Sequence, residues 1–383
     1  MVAPLALNRA ATVRAACAWV ASQRSGMQSA IRADAPGATA SKTGLMARSH
    51  AEAFQKLPGV KLVAAVDANL DAARAFADKF GIGTCFGSLD EALDWGEFDA
   101  ATNVTPDAVH YSTTLPLLAA GKHVLCEKPL ATSHALALEM TQAAEKAGVV
   151  NMVNLTYRNV PAMQLAAEMV AEGQIGEVRH FEASYLQSWL TQPAWGDWKT
   201  ESAWLWRLST EHGSKGVLGD VGIHILDFAT YVAGSDVTRL ACTLKTFDKA
   251  EGNRIGEYPL DANDSALMTV ELGNGAMGSV TATRFASGHL NDLILRIHGT
   301  KGGLDVRDIN LKGQLSACLG DDLETGTWRK IRAPRVPSNY ARFIDAIRKG
   351  STGTPDFARG AALQQLLDAA EAADTTGCAT HIA

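Results

Sequence analysis

Between residues 62 and 155 short apolar runs alternate with stretches of helical periodicity, and this alternation restricts the possible folds more than any other feature of the chain. The apolar runs cover 62–66, 98–104, 123–126 and 149–155; helical patterns fill 70–80, 107–120 and 133–147. Strand followed by helix at this pitch predicts parallel βαβ units in a doubly wound sheet. After about residue 155 the pattern changes. A helix over 162–172 leads through Gly173 and Gly176 into a long strand at 178–189. Further strand-like runs follow at 238–247, 264–273, 276–285 and 292–298, joined by turn signals such as GNG (273–275) and GTKGG (299–303). The expected architecture is a Rossmann-like α/β domain, 34–155, followed by an α+β domain with a large open, mainly antiparallel sheet, 156–383. The closing helices, near 338–349 and 359–373, are expected to pack back on one of the two sheets.

Composition narrows the function. With 47% hydrophobic residues in 383, the chain can bury a large core. A net charge of -6 with scattered basic residues gives no footprint for nucleic acid and points to a small-molecule ligand. No apolar run reaches the ~18 to 20 residues of a membrane-spanning helix, so no membrane association is expected. Six isolated cysteines show no metal-ligand spacing, which predicts a reducing, cytoplasmic setting and no metal. Residues 1–33 contain neither Asp nor Glu but carry Arg9, Arg14, Arg24 and Arg32; they read as a leader of uncertain structure.

Ligands of an open parallel sheet sit at the carboxyl ends of its strands. Three such ends are polar here: VDAN (66–69), NVTPDAVH (103–110) and CEKP (126–129). Asp67 is placed to accept hydrogen bonds from an adenosine ribose diol and to repel a 2′-phosphate, favouring NAD over NADP; its alternative role is to cap the following helix. Upstream, KTGLMARSHAEAF (42–54) has Gly44 and Ala47 at the second and third positions of G-x-G-x-x-G/A, with Gly44 lying 23 residues before Asp67. Lys42 stands where the first glycine belongs, and 31–41 makes a poor first strand.

The second domain carries GVLGDVGIHILDFATYVAG (216–234). On a helix Asp220, His224 and Asp227 fall at i, i+4 and i+7, a His and two carboxylates on one stripe suited to handling protons. An ordinary helix with a capping Asp and a core His would read the same way. Five of the eight tryptophans crowd into 189–206, where indole faces suit the C–H face of a sugar ring and Asp197, Lys199 and Arg207 suit its hydroxyls; packing of the loop is expected for at least half of them. Tyr157 and Arg158 are further candidate pocket residues, with a structural Arg158 the alternative.

CEKPLATS, TPDAVH and GVLGDVGIHILDF together resemble the glucose-fructose oxidoreductase and inositol dehydrogenase (Gfo/Idh/MocA) family over about residues 43–375. The resemblance implies a bound nicotinamide dinucleotide and hydride exchange with a sugar, inositol or related polyol. It implies Lys128, Asp220 and His224 as the catalytic residues. Gly44, Leu45, Met46, Asp67, Asn103, Thr105, Pro106, His110, Glu127 and Lys128 would meet the cofactor, and Tyr157, Arg158, Trp206, Arg207, Asp220 and His224 the substrate. His224 would take the hydroxyl proton, and Lys128 would stabilise the developing alkoxide. Glu127 would face the nicotinamide ribose, and the Lys128–Pro129 peptide is expected to be cis. The alternatives are a non-catalytic sugar- or nucleotide-binding regulatory protein of the same fold, and an NAD-using glycosidase. The two-faced second sheet and the family resemblance predict a homodimer or homotetramer.

Overall fold

The computed structural model describes residues 13–18, 44–193 and 195–382. The chain forms two compact units. Unit 1 takes the chain up to Asn154 and again Tyr340–Ala358; unit 2 takes Leu155–Asn339 and Arg359–Ala383. Unit 1 thus closes at Asn154, where the sequence reading puts the boundary after 155, and it takes up the segment 340–358.

Unit 1 is built on six parallel strands, β1 (Val13–Ala18), β2 (Val60–Val66), β3 (Thr84–Phe86), β4 (Ala100–Asn103), β5 (His123–Cys126) and β6 (Asn151–Val153). Their order is β3-β2-β1-β4-β5-β6, the doubly wound arrangement whose direction reverses between β1 and β4. The connections carry α1 (Gly44–Gln55), α2 (Leu70–Phe80), α3 (Leu89–Trp95), α4 (His110–Ala119) and α5 (His134–Ala147). Local chemistry sets the helix ends. Asn69, Ser88 and Ser133 accept from backbone amides at the amino ends of α2, α3 and α5, and Gly81, Gly96 and Gly148 close them in the left-handed conformation.

The first strand corrects the sequence reading. β1 lies within the stretch taken as a leader, pairing with β2 and β4 in the middle of the sheet. The sequence pattern puts a first strand directly before Gly44, whereas the strand that fills the central position ends 26 residues earlier, at Ala18. The rest of 1–33, the disfavoured 31–41 and Lys42 lie outside the described residues.

Unit 2 is a nine-stranded mixed sheet with α-helices on one face. In chain order it contains α6 (Pro161–Ala171), β7 (Val178–Gln187), the short α7 (Ser202–Leu205), α8 (Ile223–Ala233) and β8 (Val237–Lys245). There follow a small hairpin, β9 (Arg254–Ile255) and β10 (Tyr258–Pro259), then β11 (Ser265–Leu272), β12 (Met277–Thr283), β13 (Asn291–Gly299), β14 (Gly302–Ile309), β15 (Lys312–Leu319), α9 (Asp322–Thr325) and β16 (Arg329–Ile331). α10 (Asn339–Lys349) packs into unit 1, where Tyr340, Phe343, Ile344 and Ile347, spaced i, i+3, i+4, i+7, join the core with Ala47, Ala51 and Phe54 of α1. α11 (Phe357–Thr376) and β17 (Thr380–His381) end the chain. The large sheet runs β16-β15-β14-β13-β7-β12-β11-β8-β17. Neighbouring strands are antiparallel except β12 and β7. Strict alternation along β11 sends Ala266, Met268, Val270 and Leu272 to the covered face and leaves Leu267, Thr269 and Glu271 exposed on the other.

Candidate functional site

In unit 1 the CEKP segment follows β5, next to the switch point between β1 and β4. Alternation along the chain sends Cys126 and Glu127 to opposite sides, and helices on each side meet them. His50 of α1 sits on that helix's apolar stripe with Ala47, Ala51 and Phe54, fully buried. Its Nε2 donates to Glu127 Oε1 at 2.8 Å, and its Nδ1 pairs with the Thr102 hydroxyl. Asn154 donates to the same carboxylate oxygen at 2.7 Å. Burial pushes the Glu127 carboxyl up, but the His50 and Asn154 hydrogen bonds and the charges of His50 and Lys128 outweigh it and hold the pKa at about 2. Glu127 is thereby a brace among α1, β5 and the end of β6, which departs from the ribose contact expected of it. Lys128 is half-buried, and the Lys128–Pro129 peptide is cis, as expected.

The loop after β4 is likewise organised from within. Asn103 Nδ2 donates to Thr113 and Thr114 hydroxyls at 2.8 and 2.9 Å, and its Oδ1 accepts from the Thr105 hydroxyl at 2.8 Å and the Thr105 amide at 3.2 Å. His110 is fully buried, with both ring nitrogens against backbone carbonyls. Asn103, Thr105 and His110, expected at the cofactor, thus have side chains engaged within the protein, while Pro106 is exposed. Asp67 ends β2 fully buried and accepts from the Asn69 amide at 2.8 Å; the cap of α2 is Asn69, so the alternative role of Asp67 as helix cap is replaced. Gly44, Leu45 and Met46 form the first turn of α1, which carries no acidic residue. The amino end of this helix therefore suits a diphosphate, the group that a bound dinucleotide would place there.

In unit 2, Leu218–Gly222 forms a single π-helical turn that leads into α8. The wide turn carries Asp220, and α8 carries His224, the kind of local irregularity that often accompanies a functional site. Asp220 Oδ2 accepts from Arg284 Nη2 at 3.2 Å and lies 3.8 Å from Arg207 Nε. Arg284 is fully buried; its Nη1 also donates to the Arg207 carbonyl, and its guanidinium lies 5.0 Å from the Trp189 ring. The His224 ring meets the Tyr157 ring edge to face at 5.0 Å. Tyr157 and Tyr185 share a short hydroxyl contact of 2.5 Å, and Asn291 bridges them, donating to Tyr157 at 2.8 Å and accepting from Tyr185 at 2.7 Å. Burial pushes the Tyr157 hydroxyl up to about 12, so it acts as a neutral phenol. Asp308 on β14 is buried with neither carboxylate oxygen hydrogen-bonded among the described residues, and burial and Asp292 raise it to about 6.

One expectation changes here, and another is met. Asp227, the third member of the proposed proton-handling stripe, is buried between Arg158, which grips it through two 2.7 Å bonds, and Arg359 at 2.9 Å. Burial opposes its charge, but the two guanidiniums outweigh that and lower its pKa, so it stays an anion. Arg158 also stacks 3.5 Å over the Tyr231 ring, the structural alternative for this residue. The tryptophans form a small core of their own: Trp189 and Trp198 are buried with Leu190, Leu205, Leu208 and Leu260, and Trp195 and Trp204 pack against them. Trp206 stands outside that core, half-buried, with Arg207 at 4.6 Å from its ring.

Sequence reasoning missed His50, Asn154, Tyr185, Arg284 and Asn291. Three carry a faint signal: His50 interrupts an apolar helical stripe, Tyr185 is a polar group at an inward-pointing strand position, and Arg284 continues the inward alternation one residue past β12. Among the described residues no His, Cys, Asp or Glu cluster could hold a metal, and no helix is long and apolar enough to cross a membrane.

Comparison with known proteins gives matches to both units. Residues 43–155 match the oxidoreductase family with an NAD-binding Rossmann fold, and residues 163–305 match the GFO/IDH/MocA C-terminal domain. A levoglucosan dehydrogenase from Pseudarthrobacter phenanthrenivorans is 30% identical over 362 residues, covering 83% of this chain and 90% of its own. A D-glucoside 3-dehydrogenase from Escherichia coli is 30% identical over 235 residues, 60% of this chain and 64% of its own. The crystal structure of an oxidoreductase domain protein from Kribbella flavida superimposes with a TM-score of 0.80 at 28% identity, covering 96% of this chain and 98% of that one.

Proposed function

The chain belongs to the GFO/IDH/MocA family of oxidoreductases and is a dehydrogenase acting on CH–OH groups, with an NAD-binding Rossmann domain; from that premise we propose that the hydroxyl it oxidises is a secondary one of a sugar, inositol or related polyol. The observation that carries this reading is the π turn of unit 2, which holds the Asp220 carboxylate on two arginines one turn before His224.

Bound NAD supplies the hydride acceptor. His224 takes the hydroxyl proton, its ring oriented by the Tyr157 edge. Asp220 positions the sugar hydroxyl, with Arg284 fixing the carboxylate. Lys128 donates to the substrate oxygen and stabilises alkoxide charge as it develops. Trp206 and Arg207 read the sugar ring and its hydroxyls. Asp67 accepts from the adenosine ribose diol and disfavours a 2′-phosphate, making NAD the preferred cofactor, and the amino end of α1 holds the diphosphate.

Two further parts of the reading rest on other features. The face of the nine-stranded sheet opposite α6 and α8 exposes Leu267 and Met277, at 59% and 56%, which supports a homodimer or homotetramer joined through that face. A mass in light scattering equal to one chain at micromolar concentration would exclude it. The isolated cysteines support a cytoplasmic setting.

A screen of sugars and inositols with NAD and NADP, read by NADH absorbance, tests the activity. Ketone and NADH in equal amounts are expected. Release of a leaving group without net NADH would replace this reading by glycoside cleavage, and no reaction with any polyol would replace it by a binding role.

A further inference from the structure

His110 presents a protonation problem that the reading above leaves unused. The ring is fully buried at the start of α4. Its Nδ1 lies 2.7 Å from the Pro129 carbonyl oxygen and its Nε2 2.8 Å from the Thr105 carbonyl oxygen. Carbonyl oxygens only accept, and a neutral imidazole has a single N–H. A neutral ring would aim one nitrogen lone pair at a carbonyl lone pair at hydrogen-bonding distance. Only the doubly protonated ring satisfies both contacts. A buried cation needs compensation, and two titratable groups face the ring: Cys126 at the end of β5 and Asp107 in the turn before α4. Burial lowers the imidazole, but these two groups and the Pro129 carbonyl outweigh it and raise the pKa to about 10.

The two carbonyls that His110 joins belong to the two loops that form the carboxyl end of the sheet beside its switch point. One follows β4; the other is the residue immediately after Lys128. On the other side of Lys128, Glu127 is held by His50 and Asn154. Lys128 therefore stands between two neighbours that are each anchored by a buried histidine, one from α1 and one from α4.

We propose that His110 is a positioning residue for Lys128, held as an imidazolium throughout the neutral range, and that its two carbonyl contacts fix the turn from which the Lys128 amine is presented. The inference deepens the dehydrogenase reading, and rests on it for the part Lys128 plays in turnover.

The protonation state is read without substrate. In the full chain labelled with 15N-histidine, the His110 resonances, assigned by their loss in His110→Gln or His110→Asn, are expected to report two protonated nitrogens at about pH 7.5, well above the ordinary imidazole range. A neutral single tautomer there overturns the proposal. If neither variant folds, His50→Gln removes the other fully buried histidine, the one paired with a carboxylate, and one of the nine histidines that remain must then be a non-titrating imidazolium. The positioning role is read twice. The 13C resonance of reductively methylated Lys128, assigned with Lys128→Ala, must move in His110→Gln; an unmoved resonance overturns the clamp whatever the activity. In kinetics, His110→Gln is expected to lower kcat about tenfold with KM for NAD little changed, and to have no further effect in Lys128→Ala, whereas additive losses would assign His110 to general stability. A wild type without dehydrogenase activity would sink the functional reading and leave both resonance tests standing.

Discussion

The two units treat their motif residues in opposite ways. In unit 1 most of the polar motif is turned inward: Asn103, Thr105, His110 and Glu127 are buried and bonded to their own loops and helices, leaving half-buried Lys128 as the group displayed. In unit 2 the motif residue Asp220 keeps 30% of its side chain exposed, and the frame behind it comes from residues outside the motif, Arg284 above all. A motif can thus mark either the working groups or the scaffold that presents them. Burial distinguishes the two cases.

The sharpest way to break this contrast is to remove a scaffold residue that sits inside a motif. Asp227→Ala leaves Arg158 and Arg359 without their shared buried anion, and a loss of about 3 to 5 kcal/mol is expected in denaturant unfolding, the scale for breaking a buried pair from one side. A loss under 1 kcal/mol would return Asp227 to the list of working groups. The working groups should behave in the reverse manner. Lys128→Ala and His224→Ala are expected to retain fold and nucleotide binding, seen by circular dichroism and calorimetry, while turnover falls about 10²-fold or more. Either variant with unchanged turnover leaves the mechanism.

Acid tests the brace at Glu127. Its folded pKa of about 2 lies below the ordinary 4.5, so its contribution to stability is present above about 4.5 and is lost as pH falls toward 2. Melting temperatures across that window should fall less steeply in Glu127→Gln than in the wild type, which loses about 3 kcal/mol more stability over it. Parallel slopes would mean that the carboxylate charge contributes nothing to the brace. The smallest effect is expected at the nucleotide. Asp67→Ala should narrow the preference for NAD over NADP by about tenfold, or 1.4 kcal/mol, in kcat/KM. An unchanged ratio would leave Asp67 a structural role, of which its bond to the Asn69 amide is part.

The positions where sequence reasoning went astray share a physical cause. The expected link between the first strand and Gly44 uses local spacing, and β1 is recruited from 26 residues upstream because the centre of a parallel sheet selects a strand by burial and pairing on both edges. Asp227 looks like Asp220 in a helical projection, since periodicity assigns both to one stripe; what separates them is a pair of arginines, one from the turn before α6 and one from α11, that meet only in the folded unit. The tryptophans of 189–206, by contrast, divide as expected: four of the five pack on one another around Leu205 and Leu208, more than the half assigned to packing.

Legible from the residues alone are the βαβ alternation of unit 1, the change to a mainly antiparallel sheet after it, and the placement of Lys128 at a strand end and of Asp220 and His224 one helical turn apart. These follow from periodicities of two and 3.6 residues and from residue types that are costly to bury alone, and both are local properties of the chain. Tertiary structure decided which of those polar groups are scaffold and which are displayed. The reason is that a buried charge or donor must find its partner wherever the fold supplies one: His50 reaches Glu127 across 77 positions, and Arg284 reaches Asp220 across 64.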